Sequence, residues 1–363
     1  MEQRNTTRRV LHIANQISDR GDGIANVCVD IACEQAERGY SIGIASGDGG
    51  FVPLVKANGV EHFEIRLRKN EPLSLVGAVG RLRQIVREFT PDLVHSHTIT
   101  STVIARIACF GTGVPVVATV HNEYQRGVGL MGTANHVVGV SEAVSSAMER
   151  RKIPRRKIST VLNGTVGSIR RKIDVSTITV PILAEQSIVA IGAVSQRKGA
   201  DILIAAFGLI AQRFPAAELY FVGNVDCSEV SELAARTGAA DRIHFVGFSA
   251  QPQVYLHAAS VFALASRRDP FPLALLEALE AGIPIVACGV DGVPEALDGG
   301  VAGMLVPADD PEAMASGIAM MLESTSLREQ YSAAGRQRST QFSVSRMVDD
   351  YATAYCRLLA RRR

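Results

Sequence analysis

Short, almost unbroken apolar runs alternate along the chain with longer segments of helical period. In the first half the runs fall at 10–14, 41–45, 92–95, 114–120, 137–140 and 158–162. Runs that are apolar at nearly every position suit strands of a parallel sheet, covered on both faces. Helical spacing fills 24–38, 75–88, 100–110 and 142–151, and Gly39 marks the expected end of the first helix.

A polar, β-branched stretch at 170–181 separates this series from a second one. Strands are predicted there at 188–191, 218–222, 243–246, 261–263 and 284–287. Helices are predicted at 200–213, 229–237, 273–281, 311–323, 327–336 and 344–359. Strands alternating with helices give an α/β architecture of two doubly wound domains in tandem. The expected division is 1–178, 179–342 and a final helix over 343–363. Such sheets bind ligands at the carboxyl ends of their strands, so two domains facing each other across a cleft would share one site.

Charge adds an asymmetry to this picture. The net charge is +2, yet residues 1–178 carry 23 Lys and Arg against 16 Asp and Glu, and residues 179–363 carry 15 against 20. Basic triplets stand at Arg150-Arg151-Lys152, Arg155-Arg156-Lys157 and Arg170-Arg171-Lys172. They form either solvated helix faces or a contact for an anionic partner, such as a membrane surface or a lipid diphosphate. No aromatics interleave with them and no nucleic-acid motif appears, which argues against nucleic-acid binding. The six cysteines, Cys28, Cys33, Cys109, Cys227, Cys288 and Cys356, show no metal-ligand spacing and read as buried free thiols. No cleavable leader and no stretch of ~20 apolar residues is evident, so the expectation is a cytoplasmic protein.

The richest chemistry lies at 262–296, FALASRRDPFPLALLEALEAGIPIVACGVDGVPEA. Asp269 stands in a Pro-flanked loop just before a helix, and Glu277 one turn inside it. A carboxylate on the loop can accept hydrogen bonds from sugar hydroxyls, and one on the helix can bind the two hydroxyls of a ribose. Between them, the amides of Phe271, Leu273 and Ala274 at the helix start suit a diphosphate. The segment resembles the E-x7-E region of glycosyltransferase family 4, S-x-x-E-x-F-G-L-x-x-x-E-A-x-A-x-G-x-P-V-V-A. Ser266, Phe271, Leu273, Glu277, Ala278, Gly282 and Pro284 stand in their places. The first acid is Asp269 where Glu is usual, which recesses the carboxylate by one methylene. Pro272 replaces the common Gly.

Further matches extend the resemblance over almost the whole chain. The stretch IGAVSQRKGADILIAAF at 191–207 is similar to the family's G-R-L-x-x-x-K-G loop. The resemblance implies that Lys198 reaches the donor diphosphate and neutralises the departing oxygen. Ala193 stands where many relatives carry Arg. Arg197 is either its replacement or a surface charge. Gly21 and Gly23, after the first strand, match a glycine loop that opens the first helix, with its dipole aimed at the cleft. Gly223 and Val246 lie at strand ends that would flank the nucleotide base. His121 and Asn122 correspond to the T-x-H-D/N element, where the His approaches the transferred sugar. His95 and His97 match D-x-V-H-x-H. They could chelate a metal, but no third ligand is visible in the sequence, and a structural or acceptor-side role is the preferred reading.

The resemblance implies the GT-B fold, two Rossmann-like domains with the last helix crossing back to the N-terminal one. It also implies a retaining glycosyltransferase that moves a sugar from a UDP- or GDP-sugar to a glycan or lipid-linked acceptor, in cell-envelope or exopolysaccharide biosynthesis. No D-x-D motif closes an apolar strand, which agrees with a metal-independent reaction without a cofactor. Acceptor choice is expected in loops 66–69 and 123–131. The competing readings are a binding subunit that has lost catalysis and a nucleotide-sugar 2-epimerase of the same fold. A nicotinamide-dependent dehydrogenase is disfavoured, because no complete G-x-G-x-x-G follows either first strand.

Overall fold

Every pairing between named strands is parallel in the computed structural model, as the doubly covered apolar runs require. The structure describes residues 8–67, 72–171, 181–225 and 229–360. It divides into two units, Met1–Arg170 with Val344–Arg363, and Arg171–Ser343.

The first unit runs through β1 (Arg9–Gln16), α1 (Gly23–Glu37), β2 (Ser41–Gly47), α2 (Val52–Ala57), β3 (Glu61–Glu64) and α3 (Pro72–Phe89). It continues with β4 (Leu93–Ser96), α4 (Ile99–Ala108), β5 (Val116–Val120), β6 (His136–Gly139), α5 (Glu142–Arg150) and β7 (Ile158–Thr160). Its seven strands lie in the order β3-β2-β1-β4-β5-β6-β7. The chain order reverses beside β1, between β2 and β4, and this is the switch point where doubly wound sheets open a crevice. Helix α1 ends as its sequence indicates. Gly39 takes φ +82°, and the amides of Gly39 and Tyr40 bond the carbonyls of Ala36 and Gln35.

The second unit contains β8 (Gln186–Ile191), α6 (Ala200–Ile210), β9 (Ala217–Val222), α7 (Glu229–Ala235), β10 (Ile243–Gly247), α8 (Gln253–Ala258) and β11 (Val261–Leu264). After these come α9 (Leu273–Ala281), β12 (Ile285–Cys288), α10 (Val293–Ala296), β13 (Met304–Val306), α11 (Pro311–Glu323) and α12 (Thr325–Ser339). Its six strands follow β10-β9-β8-β11-β12-β13, again with the reversal beside the first strand of the unit. The last helix, α13 (Val344–Ala360), belongs to the first unit and packs against α1. Tyr351 and Tyr355, one turn apart on α13, are wholly buried there.

One expectation needs correction and another is narrowed. Cys28, Cys33, Cys109 and Cys288 are buried, but Cys356 is exposed on α13, and Cys227 lies outside the described residues. The basic triplets are in good part structural. Arg170 pairs with the buried Asp30 at 2.7 Å, and Ser168 donates to the other oxygen of that carboxylate. Arg171 pairs with Glu280, Arg155 with Glu142, and Arg151 and Lys157 donate to backbone carbonyls. Lys172 lies outside the described residues, as does most of the 170–181 stretch.

Candidate functional site

In the second unit the loop after β8 and the loop after β11 meet through a glycine. Gly199 takes φ +68°, and a Cβ there would stand 1.9 Å from the carbonyl oxygen of Ala265. Only a residue without a side chain permits that approach. It sets Lys198 beside Asp269, with Nζ 2.6 Å from Oδ2. Ser266 Oγ donates to the same oxygen at 3.0 Å. Asp269 is almost fully buried, so the charge needs both partners. The Ser and Asp of one motif and the Lys of another therefore form one cluster.

Helix α9 starts three residues after Pro270, with Pro272 at its N-cap and no side chain closing its first turn. Leu273 and Ala274 open that turn, Phe271 precedes it, and Glu277 lies buried on its second turn. The start of a helix presents amide donors and a positive dipole end, so this face favours an anion. Gly223, after β9, sits with φ +156° against Gly192, where a Cβ would come within 2.0 Å of the Gly192 carbonyl oxygen. Val246, on β10, is exposed. Arg197 is exposed and donates to the Arg268 carbonyl at 3.2 Å.

Two positioning residues escaped the sequence reading. Arg267 forms a double hydrogen bond to Asp201, at 2.7 Å each, and a third to Asp309 at 2.6 Å. It also donates to the Gln196 carbonyl, tying the Lys198 loop to α6 and to the loop after β13. The Arg267 hydrogen bonds hold the Asp201 carboxyl below its usual range. Asp291, in an Asp-Gly turn at φ +50°, accepts from the Asp269 amide at 2.7 Å and fixes that backbone. Only the Asp-Gly dipeptide hinted at this turn in the sequence.

In the first unit a set of histidines shares one face of the sheet. His12 on β1 lies in register with His95 on β4, and Thr119 lies two residues beyond Val117, the β5 partner of His95. Alternation then places His97 and His121 on the same face. His95 and His97 are buried, as is His12, while His121 and Asn122 are half-buried. Burial lowers all four imidazoles: His12 to about 4, His121 to about 3, and His95 and His97 well below their ordinary value. These rings are neutral at pH 7. Tyr355 hydrogen-bonds His95 Nδ1 at 2.7 Å, His95 Nε2 meets Thr119 Oγ1 at 2.7 Å, and Thr119 meets Tyr351 at 3.0 Å. The last helix thus supplies the two phenols that satisfy this buried face. Asn122 Oδ1 accepts from the Tyr124 amide.

The glycine loop of the first unit differs from its sequence reading. Gly21 takes φ +76° and Gly23 begins α1, but Asp22 between them caps the helix, accepting from Ile24 and Ala25 at 2.9 and 3.3 Å. A carboxylate already occupies part of the start of that helix. The metal ligands that the sequence did not offer to His97 are His12 and Cys28, whose ligand atoms lie with it within 4.8 Å of one another. In loop 66–69, residues 68 and 69 lie outside the described residues.

Comparison with known proteins matches both units. A family model described as Glycosyltransferase Family 4 matches residues 21–165, and one described as Glycosyl transferases group 1 matches residues 185–324. The chain is 26% identical to a phosphatidyl-myo-inositol mannosyltransferase of Mycolicibacterium smegmatis, over 76% of each chain. It is 31% identical to a D-inositol 3-phosphate glycosyltransferase of Segniliparus rotundus, over 47% of this chain and 40% of that one. Among solved structures, Anabaena HepE in complex with UDP and glucose superposes with a TM-score of 0.82 at 22% identity, over 95% of this chain and 98% of that one. That likeness establishes the GT-B fold.

Proposed function

Because the chain belongs to the group 1 glycosyltransferases, with a family 4 domain ahead of the group 1 domain, we propose that it transfers a hexose with retention from a UDP- or GDP-sugar, without a metal. The observation that carries this reading is the cluster of Lys198, Ser266 and Asp269 before the uncapped first turn of α9. An incoming diphosphate would meet the helix amides and draw Lys198 from its carboxylate, placing positive charge where the leaving oxygen becomes anionic. Freed of the lysine, Asp269 would accept hydrogen bonds from sugar hydroxyls, and Glu277 would hold the ribose. Gly223 and Val246 would border the base, and Arg197 would assist at the phosphates.

The acceptor hydroxyl would attack from the side of the departing phosphate, which takes its proton, so no carboxylate nucleophile is needed. His121 and the histidine face of the first unit would serve the sugar and acceptor hydroxyls. The named inositol-lipid and inositol-phosphate activities of the relatives favour a polyol, glycan or lipid-linked acceptor, in envelope or exopolysaccharide assembly. A lipid-linked acceptor also favours peripheral contact with an anionic membrane. Exposed Ile107 and Phe110, at the end of α4, are the side chains for it, and Phe110→Asp should lower salt-sensitive sedimentation with anionic vesicles.

Two assays test the proposal. Sugar transfer or donor hydrolysis should persist in EDTA and fall by ~10²–10³ in Lys198→Ala. A catalytically silent binding subunit, the second reading raised by Ala193 and Asp269, would bind nucleotide sugar yet turn over none with either protein. The anomeric configuration of the product, read by NMR, decides retention.

A further inference from the structure

Three histidine rings of the first unit stand end to end, from the core to the carboxyl edge of the sheet. Gln35 Oε1, on α1, lies 2.9 Å from His12 Nε2. His12 Nδ1 lies 3.0 Å from His97 Nε2, and His97 Nδ1 lies 3.2 Å from His121 Nε2. Successive rings are stacked at 25°. The proposed transfer draws on this face for contacts to hydroxyls but makes no use of the links between the rings.

A neutral imidazole carries one N–H and one lone pair. Each of the three contacts needs one proton: the neutral rings supply all three when Gln35 accepts, and two when Gln35 donates the third. Only two arrangements satisfy every contact: all protons point toward Gln35, or all point away. The amide of Gln35 selects between them. An amide oxygen only accepts, so with Oε1 on His12 the Nε2–H of each ring points inward. His121 Nδ1 then ends the row as a lone pair.

The orientation of that amide has its own reason. Gln35 also interacts with Tyr355, whose phenol it lowers against the larger upward push of burial, and its Nε2 is buried without a hydrogen-bond partner among the described residues. When His95 carries its proton on Nε2, the Tyr355 hydroxyl donates to His95 Nδ1 and its oxygen is left to accept from an amide N–H. A reversed amide would set two acceptors against each other.

We propose that Gln35 is a positioning residue: acting through His12 and His97, it fixes His121 in the Nε2–H tautomer and so presents its Nδ1 as a hydrogen-bond acceptor for a substrate hydroxyl. The part concerning substrate rests on the assignment of His121 to the sugar and acceptor side. A ring lowered to about 3 by burial is a weak base. It orients a hydroxyl and leaves the proton to the phosphate. A metal held by His12, His97 and Cys28 is the competing occupant. The 3.0 Å between the two nitrogens suits a hydrogen bond. Nitrogens each about 2.0–2.1 Å from a tetrahedral zinc would stand about 3.4 Å apart.

Long-range proton–nitrogen correlation spectra of the full chain labelled with 15N-histidine test this without substrate. The expected result at pH 7 is the neutral Nε2–H tautomer at His12, His97 and His121. In Gln35→Met, which fills the space without an acceptor, the His121 signal should shift toward a mixture of tautomers. Turnover should fall about tenfold at little changed donor KM. An Nδ1–H or doubly protonated His121 in the wild type, an unaltered tautomer in Gln35→Met, or stoichiometric zinc with metal-shifted histidine signals overturns the proposal. Should Gln35→Met fail to fold, the wild-type spectrum decides alone. Failure of nucleotide-sugar turnover would sink the transferase reading and leave this tautomer result standing.

Discussion

Toward the carboxyl ends of its strands the first unit holds a row of neutral histidine rings that runs from the core to a half-buried His121, whereas the second holds a lysine and an aspartate as an ion pair. Both sheets are parallel, with the chain order reversing beside the first strand of each. Their polar chemistry differs in kind. Neutral rings in a closed hydrogen-bond row have fixed directions and cannot rearrange without breaking every link. An ion pair of one lysine and one carboxylate can open when a stronger anion arrives, because each partner keeps a use. One unit therefore offers preset orientation and the other exchangeable charge.

The comparison can be broken first at the charged end. Lys198→Ala should lower turnover by ~10²–10³, about 3 kcal/mol of lost charge stabilisation, in a donor-saturated assay. An equal loss from a distant surface lysine would show that charge at this point is not special. Next in size is the acid response of the histidine face. In the folded state His12 is lowered to about 4 from an ordinary 6.5. The unfolded chain then binds the extra proton first, and stability is present above pH 6.5 and lost as pH falls toward 4. At pH 5 the loss from His12 alone is about 2 kcal/mol, readable by urea titration at pH 7 and pH 5, and His12→Gln should flatten that slope.

Smaller effects sharpen the picture. Tyr355→Phe removes a phenol from His95 Nδ1 and should cost about 1–2 kcal/mol in urea unfolding. Asp269→Glu restores the acid usual in the family and should change turnover by less than tenfold, by shifting a carboxylate one methylene toward the sugar. A collapse of activity would show that the Asp269–Lys198 contact tolerates no change in length.

Most of the strands were legible because buried parallel strands are written as continuous apolar runs, whereas their order in the sheets came only with the structure. Helices over 273–281 and 311–323 fall at the predicted residues. The short elements were not legible. The strand Glu61–Glu64 reads EHFE, with charged ends and two half-buried residues, and helices of four to six residues such as Val293–Ala296 show too little periodicity to detect. At the site, Lys198, Ser266 and Asp269 were found by motif, and the structure adds that they touch. Arg267 and Asp291 escaped because their partners lie far along the chain, at Asp201, Asp309 and the Asp269 amide. Gln35 and His12 escaped because a histidine inside an apolar strand shows nothing of its neighbours until the sheet register is known.

The central claim is that Lys198 and the opening turn of α9 receive a diphosphate. Isothermal titration of UDP and GDP into the wild type and into Lys198→Ala measures this without a sugar or an acceptor. One nucleotide should bind the wild type and lose about tenfold or more in the variant, with binding in the wild type weakening as salt rises. Equal affinity in both proteins, or no binding of either nucleotide to the wild type, would contradict the account.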